Sequence, residues 1–358
     1  MSDRVDPAGR APANPGLDAA ACPPVLSLRE VRVTFDGRSA SRPVRAVDGV
    51  DLDVAPGEVV ALVGESGCGK STLVRSVIGL EPVAAGSVLI NGVVLGRRAA
   101  QLRSVRRRVQ MIFQDPSGAL NPRHTVFEAV AEGLRIHRVP GHEPTLVAEA
   151  LASAGLRPVE RYVDRYPHEL SGGQRQRVLI AAAMALQPDL LLADEPVASL
   201  DASIRGEVLA LMRSYVDQRG IAIVAVTHDL GLAWTIADRV AVMYLGRIVE
   251  VGPTEAVLAS PHHPYTRALL SVVPEIDADG TAPHKLMQSR QILIGEAPDP
   301  AAIPPGCRFH PRCPIVASGE ADRLGFGDRC RGTDPVAAEV VMVSVGAHHQ
   351  AACHAIGR

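Results

Sequence analysis

Gly64-Glu65-Ser66-Gly67-Cys68-Gly69-Lys70-Ser71-Thr72 fits the pattern G-x-x-x-x-G-K-[ST]. Glycines at these positions let backbone N–H groups turn inward around phosphate oxygens, and a helix opening directly after the loop adds positive potential. Lys70 is placed to reach β- and γ-phosphates, and the Ser71 hydroxyl to ligate Mg²⁺. The apolar run Val59–Val63 ahead of the loop reads as a buried strand, and Leu73–Ile78 after it has helical character. Strand, glycine loop and helix in that order predict a nucleoside-triphosphate site. A second apolar run, Leu190–Ala193, ends in Asp194 and Glu195. A strand that delivers two carboxylates to its tip can hold Mg²⁺ through Asp194 and polarise a water through Glu195.

The elements that must position these groups are constrained by the whole chain. Its 358 residues predict two domains and a sizeable core, with 47% hydrophobic residues excluding wholesale disorder. Lys and Arg number 37 against 39 Asp and Glu, a net charge of −2 that argues against a general nucleic-acid binder. Six arginines between residues 97 and 108 have no interleaved aromatics to stack bases and read as a solvated face. The longest apolar run, Val178 to Leu186, is far short of the roughly 20 residues a membrane span requires. Residues 1–24 carry five prolines and no apolar signal core, and read as a disordered leader. Six cysteines without a secretion signal favour a reduced, cytosolic setting, in which metal or cluster chemistry outranks disulfides.

Alternating apolar residues predict antiparallel strands over Leu26–Phe35 and Val44–Val54. Ser87–Ile90 and Val93–Leu95 flank Asn91-Gly92, a pair suited to the positive φ angles of a type I′ hairpin turn. Val109–Phe113 and Ile221–Val226 resemble further buried parallel strands, with Thr125–Leu186 a mostly helical insertion. Val240–Tyr244 and Ile248–Val251, joined through Leu245-Gly246-Arg247, form a closing hairpin. Prolines then cluster from Pro253, and four cysteines follow residue 306, which predicts a separate C-terminal module. The fold class expected is α/β, a nucleotide-binding core over 25–254 with a helical subdomain at about 118–186, and a small Cys-containing module over 255–358.

Leu170-Ser171-Gly172-Gly173-Gln174-Arg175-Gln176-Arg177 resembles the signature of ABC-transporter ATPases. Physically it is also a serine-capped helix start, the kind of end that grips a phosphate. The resemblance implies a P-loop NTPase core that pairs with a second ATPase chain. Ser171, Gly172, Gly173, Gln174 and Asp201 would then face the ATP held by that partner. It further implies that Gln114 touches Mg²⁺ and the attacking water, that His228 contacts the γ-phosphate, and that Phe35 stacks on adenine. One departure stands out. Where the family has Ser-Ala-Leu-Asp, this chain has Ala198-Ser199-Leu200-Asp201, so Asp201 is kept and the serine is displaced.

Pro261-His262-His263-Pro264-Tyr265-Thr266-Arg267-Ala268-Leu269-Leu270 and Pro304–Pro314 are similar to the tail of oligopeptide/dipeptide importer ATPases. That branch implies import of peptides, nickel or another small solute. Its partners would be two permease subunits and an extracytoplasmic solute-binding protein, with no nucleic acid, at the cytoplasmic face of the cell membrane. A non-hydrolysing regulatory subunit is the alternative from another class. Cys307, Cys313, Cys330 and Cys353 are spaced x₅, x₁₆ and x₂₂. That spacing alone leaves metal binding and unliganded thiols equally open. The family resemblance implies a [4Fe–4S] cluster on these four cysteines, with zinc as the lesser alternative.

Overall fold

In the computed structural model, residues 23–36, 43–271, 295, 298–333 and 340–356 are described. The expected leader lies outside them, apart from its last two residues, and so does Cys22. Two sheets carry the fold. The first is antiparallel, in the order β2-β1-β4-β5, built from β1 (Leu26–Phe35), β2 (Val44–Val54), β4 (Ala85–Ile90) and β5 (Val93–Val94). Asn91 and Gly92 join β4 to β5 with φ of 48° and 74°, as the hairpin turn requires.

The second sheet has the order β11-β12-β10-β9-β3-β8-β7-β6. Its parallel part comprises β3 (Val59–Val63), β6 (Val109–Ile112), β7 (Leu190–Asp194), β8 (Ala222–Thr227) and β9 (Arg239–Tyr244). All residues of β3, β7 and β8 are buried, which is why these strands read as unbroken apolar runs. Alternation still decides where each side chain goes. Val59, Ala61, Val63, Leu191 and Ala193 face one core, whereas Val60, Leu62, Leu190 and Leu192 face the other. The second core is closed by the antiparallel sheet and by α1 (Lys70–Val77).

The insertion is helical, as its sequence predicts, and builds its own core. After the short turn α3 (Pro116–Ala119), α4 (Val126–His137), α5 (Glu143–Ser153) and α6 (Gly172–Met184) pack through Val130, Leu134, Leu151 and Val178. Thr125 and Ser171 open α4 and α6 with reciprocal capping boxes. The arginine-rich helix α2 (Ala99–Arg108) buries none of its residues, the solvated face expected. Helices α7 (Ala202–Arg219) and α8 (Leu230–Ile236) cover the first core.

The tail does not stand apart from this core. Strand β12 (His349–Ala351) pairs with β10 (Arg247–Pro253), and β11 (Val343–Gly346) with β12, so the chain's last strands extend the main sheet. Phe309 and Cys313 belong to the first hydrophobic core. Glu250, fully buried, accepts hydrogen bonds from the backbone N–H of His262 (2.7 Å) and of His263 (2.9 Å), and lies 2.8 Å from His349 Nε2. These bonds tie the segment from α9 (Thr254–Ala259) to α10 (Pro264–Ser271), and the C-terminal strand, to one buried carboxylate.

Candidate functional site

Parallel register lines up the ends of β3, β7 and β8. Val63 pairs with Thr227, Asp194 pairs with Val226, and the Glu195 N–H donates to the Val226 carbonyl at 3.0 Å. Loops leaving these three ends therefore converge at one edge, the usual place for a ligand in an open α/β sheet.

The first of these loops is the glycine loop. Its shape depends on two glycines at positive φ pressed against neighbouring backbone. A Cβ on Gly64 (φ 155°) would lie 2.2 Å from the Met243 carbonyl, and one on Gly69 (φ 106°) 2.0 Å from the Ala46 carbonyl. Lys70 is buried, and its Nζ donates to the carbonyls of Gly64 (2.7 Å) and Glu65 (2.8 Å). This fixes the ammonium at the centre of the loop. Cys68 Sγ lies 3.7 Å from the same Nζ, and burial pushes its thiol up despite that cation.

Ser71 Oγ donates to Asp194 Oδ1 at 2.8 Å. Asp194 Oδ2 is buried with no hydrogen-bond partner among the described residues; the nearest cation, Arg75 Nη2, is 3.8 Å away. Burial raises the Asp194 carboxyl above its ordinary value, opposed by the Ser71 bond and Arg75. A buried carboxylate oxygen left open beside a serine hydroxyl is the donor set a Mg²⁺ ion takes, so these residues fit that ion.

Glu195 follows directly. Its φ of 49° is rare for a residue with a Cβ and turns the side chain over the site. Oε1 lies 3.0 Å from His228 Nδ1, and Oε2 accepts from Gln114 Nε2 at 3.2 Å. His228 is set in place by the next residue. Asp229 caps α8, its Oδ1 accepting from the N–H groups of Gly231 (2.8 Å) and Leu232 (3.3 Å). Lys70, Ser71, Asp194, Glu195, His228 and Gln114 thus form one contiguous cluster.

Six expected residues, Phe35, Ser171, Gly172, Gly173, Gln174 and Asp201, lie outside this cluster. Phe35 ends β1 with an exposed ring. Ser171 and Gln174 bond each other at the start of α6, and Asp201 sits before α7 with no side-chain capping bond. Gly173 allows α6 to meet α7, since a Cβ there would lie 2.7 Å from Ile204 Cγ2.

The metal expectation for the tail is not carried by the structure. Cys307, Cys313, Cys330 and Cys353 do line a single cavity, together with His263 and Phe326. Yet that cavity is about 10 Å³, and among the described residues no three His, Cys, Asp or Glu side chains are arranged to hold a metal ion. Neither a [4Fe–4S] cluster nor zinc fits the thiols as they stand. Burial pushes Cys307 and Cys330 up to about 12, the behaviour of thiols packed in apolar surroundings.

Tyr265 and Arg312, both in the tail, touch the phosphate loop through Glu65 and escaped the sequence reading. Tyr265 lies inside a string noted for its resemblance, but nothing local names its partner 200 residues away.

Together, a phosphate loop, a strand-end carboxylate pair and a serine-capped glycine helix on this two-sheet frame define an ATP-binding cassette. The chain belongs to the family of ABC-transporter ATP-binding proteins and is an ATPase coupled to transport. Residues 47–198 match the ABC transporter family, and residues 249–319 match the oligopeptide/dipeptide transporter C-terminal region. Oligopeptide transport ATP-binding protein OppF of Salmonella typhimurium is 41% identical over 323 residues, spanning 87% of this chain and 92% of that protein. Di/tripeptide transport ATP-binding protein DppF of Pseudomonas aeruginosa is 43% identical over 309 residues, 86% and 90% of the two chains. Among solved structures, cbiO1 from Clostridium perfringens, part of the ABC transporter complex cbiONQ, aligns with TM-score 0.59 and 28% identity. It covers 66% of this chain and 92% of its own. A dimeric ATP-binding cassette bound to ADP and Pi aligns with TM-score 0.58 at 28% identity, covering 64% and 98%. Among the described residues no helix is long and apolar enough to cross a membrane.

Proposed function

We propose that this chain is the ATP-hydrolysing subunit of a peptide importer. The single observation that carries the hydrolytic reading is the convergence of Ser71, Asp194, Glu195, Gln114 and His228 at the ends of the parallel strands. Peptide as the solute is supported by the relatives, whose names assign them to oligopeptide and di/tripeptide transport.

In this reading the backbone amides of the phosphate loop and Lys70 receive the β- and γ-phosphates. Ser71, Asp194 and Gln114 would hold Mg²⁺, which when bound neutralises charge on the transferring phosphoryl group. Glu195 orients and polarises the attacking water, held at its two oxygens by His228 and Gln114. His228 faces the γ-phosphate, and Phe35 stacks on the adenine. Ser171–Gln174 and Asp201 stand away from the cluster because they serve the ATP of a second ATPase chain, so that two chains enclose two nucleotides. Two permease subunits, an extracytoplasmic solute-binding protein and a peripheral position on the cytoplasmic face of the membrane complete the assembly. The ATPase core over 25–254 and the C-terminal module over 255–358 are kept as the division of the chain.

The [4Fe–4S] cluster and the zinc implied by the resemblance of the tail are left out of this reading, because the thiols as placed fit neither. Iron, zinc and acid-labile sulfide per chain after anaerobic purification test this: a metal-free chain is expected, and four irons with matching sulfide overturn it. Uptake of labelled dipeptide against nickel in a deletion strain tests the solute. Dipeptide uptake lost with nickel uptake intact is expected, and the reverse overturns the peptide reading.

A further inference from the structure

Glu65 occupies an x position of the phosphate loop, where the motif demands no particular side chain. A carboxylate there is unfavourable on its own: it adds negative charge beside amides and an ammonium that must receive phosphate oxygens. The tail answers it. Arg312 Nη1 donates to Glu65 Oε2 at 2.8 Å and Nη2 to Oε1 at 3.0 Å, a two-pronged ion pair. The Arg312 side chain is 7% exposed and that of Glu65 25%, so the pair is partly sheltered from screening water. The Glu65 backbone N–H donates to the Tyr265 hydroxyl at 2.9 Å, which fixes the same residue from its main chain.

These two anchors are themselves braced. Tyr265 packs against Tyr244 and Phe309, with ring centroids 4.6 and 5.4 Å apart, and Tyr244 meets Phe309 at 5.3 Å. Four residues before Arg312, Arg308 bonds the Asp48 carboxylate and the Leu245 carbonyl. The residue after Arg312 is Cys313, a wall of the thiol cavity. An unbroken run of contacts therefore joins the cysteine-lined tail to the second residue of the phosphate loop.

We propose that Arg312 and Tyr265 are positioning residues of the nucleotide site: the tail clamps Glu65, masks its charge and holds the phosphate loop ready for ATP. A pair that served only to hold the fold together would set stability and leave nucleotide affinity alone. Charge masking predicts something narrower, namely that removing the Glu65 charge repairs the loss of Arg312.

The test uses the full chain, binding of a fluorescent ATP analogue with Mg²⁺, and steady-state ATPase rates. Arg312→Ala is expected to weaken nucleotide binding about tenfold and raise KM by a similar factor, with kcat within about twofold. Arg312→Lys, which keeps the charge and loses the fork, falls in between. Arg312→Ala combined with Glu65→Gln returns affinity to within about threefold of the parent. Affinity unchanged in Arg312→Ala, or a double variant as weak as Arg312→Ala alone, overturns the proposal. If Arg312→Ala melts below the assay temperature, Tyr265→Phe decides, because it deletes one hydroxyl from an intact aromatic cluster. A loss of about threefold in affinity supports the clamp, and no change overturns it.

Discussion

Ser71 and Asp194, 123 positions apart in the chain, share a 2.8 Å hydrogen bond in which the serine hydroxyl donates to Oδ1 of the carboxylate. It joins the first helical turn after the phosphate loop to the tip of β7. Because Oδ2 is left without a hydrogen bond among the described residues, the buried carboxylate has an open coordination direction beside the hydroxyl. The site is assembled by strand register.

Glu195→Gln keeps the shape of the side chain and removes its basicity. ATP binding is expected to persist while turnover falls by about a hundredfold or more, the range for loss of a positioned general base. Fluorescent-nucleotide binding alongside a phosphate-release assay checks it. Unchanged turnover would remove Glu195 from the role.

His228→Ala deletes the imidazole 3.0 Å from Glu195 Oε1. Hydrolysis should drop by about tenfold or more with KM little changed, since the lost contact serves the reacting groups. Gln114→Ala, which frees the other oxygen of Glu195, should act in the same direction but less than additively with His228→Ala. Two fully additive effects would show that the residues do not share Glu195.

Asp194→Asn exchanges function for stability. The native carboxyl titrates above its unfolded value, so the native state holds its proton more tightly. Its contribution is favourable below the unfolded value and is lost as pH rises through the native one. At pH 7 the desolvated carboxylate is therefore a cost. Mg²⁺-dependent hydrolysis should vanish in Asp194→Asn while the Tm of the nucleotide-free protein rises by about 1–4 °C. A lower Tm would contradict the burial argument.

His263 gives the opposite pH dependence. Its imidazole is fully buried and pushed down to about 3, and Nδ1 accepts the Tyr265 N–H at 3.0 Å, as a neutral ring must. The unfolded chain takes up this proton near 6.5 and the native chain only near 3. Stability from His263 is thus present above about 6.5 and lost as pH falls, at up to about 1.4 kcal/mol per pH unit. Denaturant titrations between pH 7 and 4.5 should show this slope, and His263→Gln should flatten it. An identical slope in the variant would mean that other groups carry the acid sensitivity.

Motifs that fold into a local shape were legible from residue type and spacing alone. Strand β3, the glycine loop and α1 follow from an apolar run, glycines at fixed offsets and a helical pattern, all within 20 residues. The Asn91-Gly92 hairpin, the serine start of α6 and the closing β9–β10 hairpin are readable for the same reason: each is decided by backbone preferences of neighbouring residues.

Only the tertiary structure decided what lies between distant segments. Nothing near Glu65 announces Arg312, 247 positions on, because a single charge has no periodicity and one arginine reads like another. Prolines and cysteines set the tail apart in composition, yet β12 pairs with β10 and β11 with β12, so the tail extends the main sheet. The four cysteines show the limit most sharply. Their spacing allowed a metal or plain thiols, and packing brought all four to one cavity without opening it to the size a cluster needs. Sequence determines the local conformations. Which charges meet, and how much space is left between thiols, is set by the whole chain closing its cores at once.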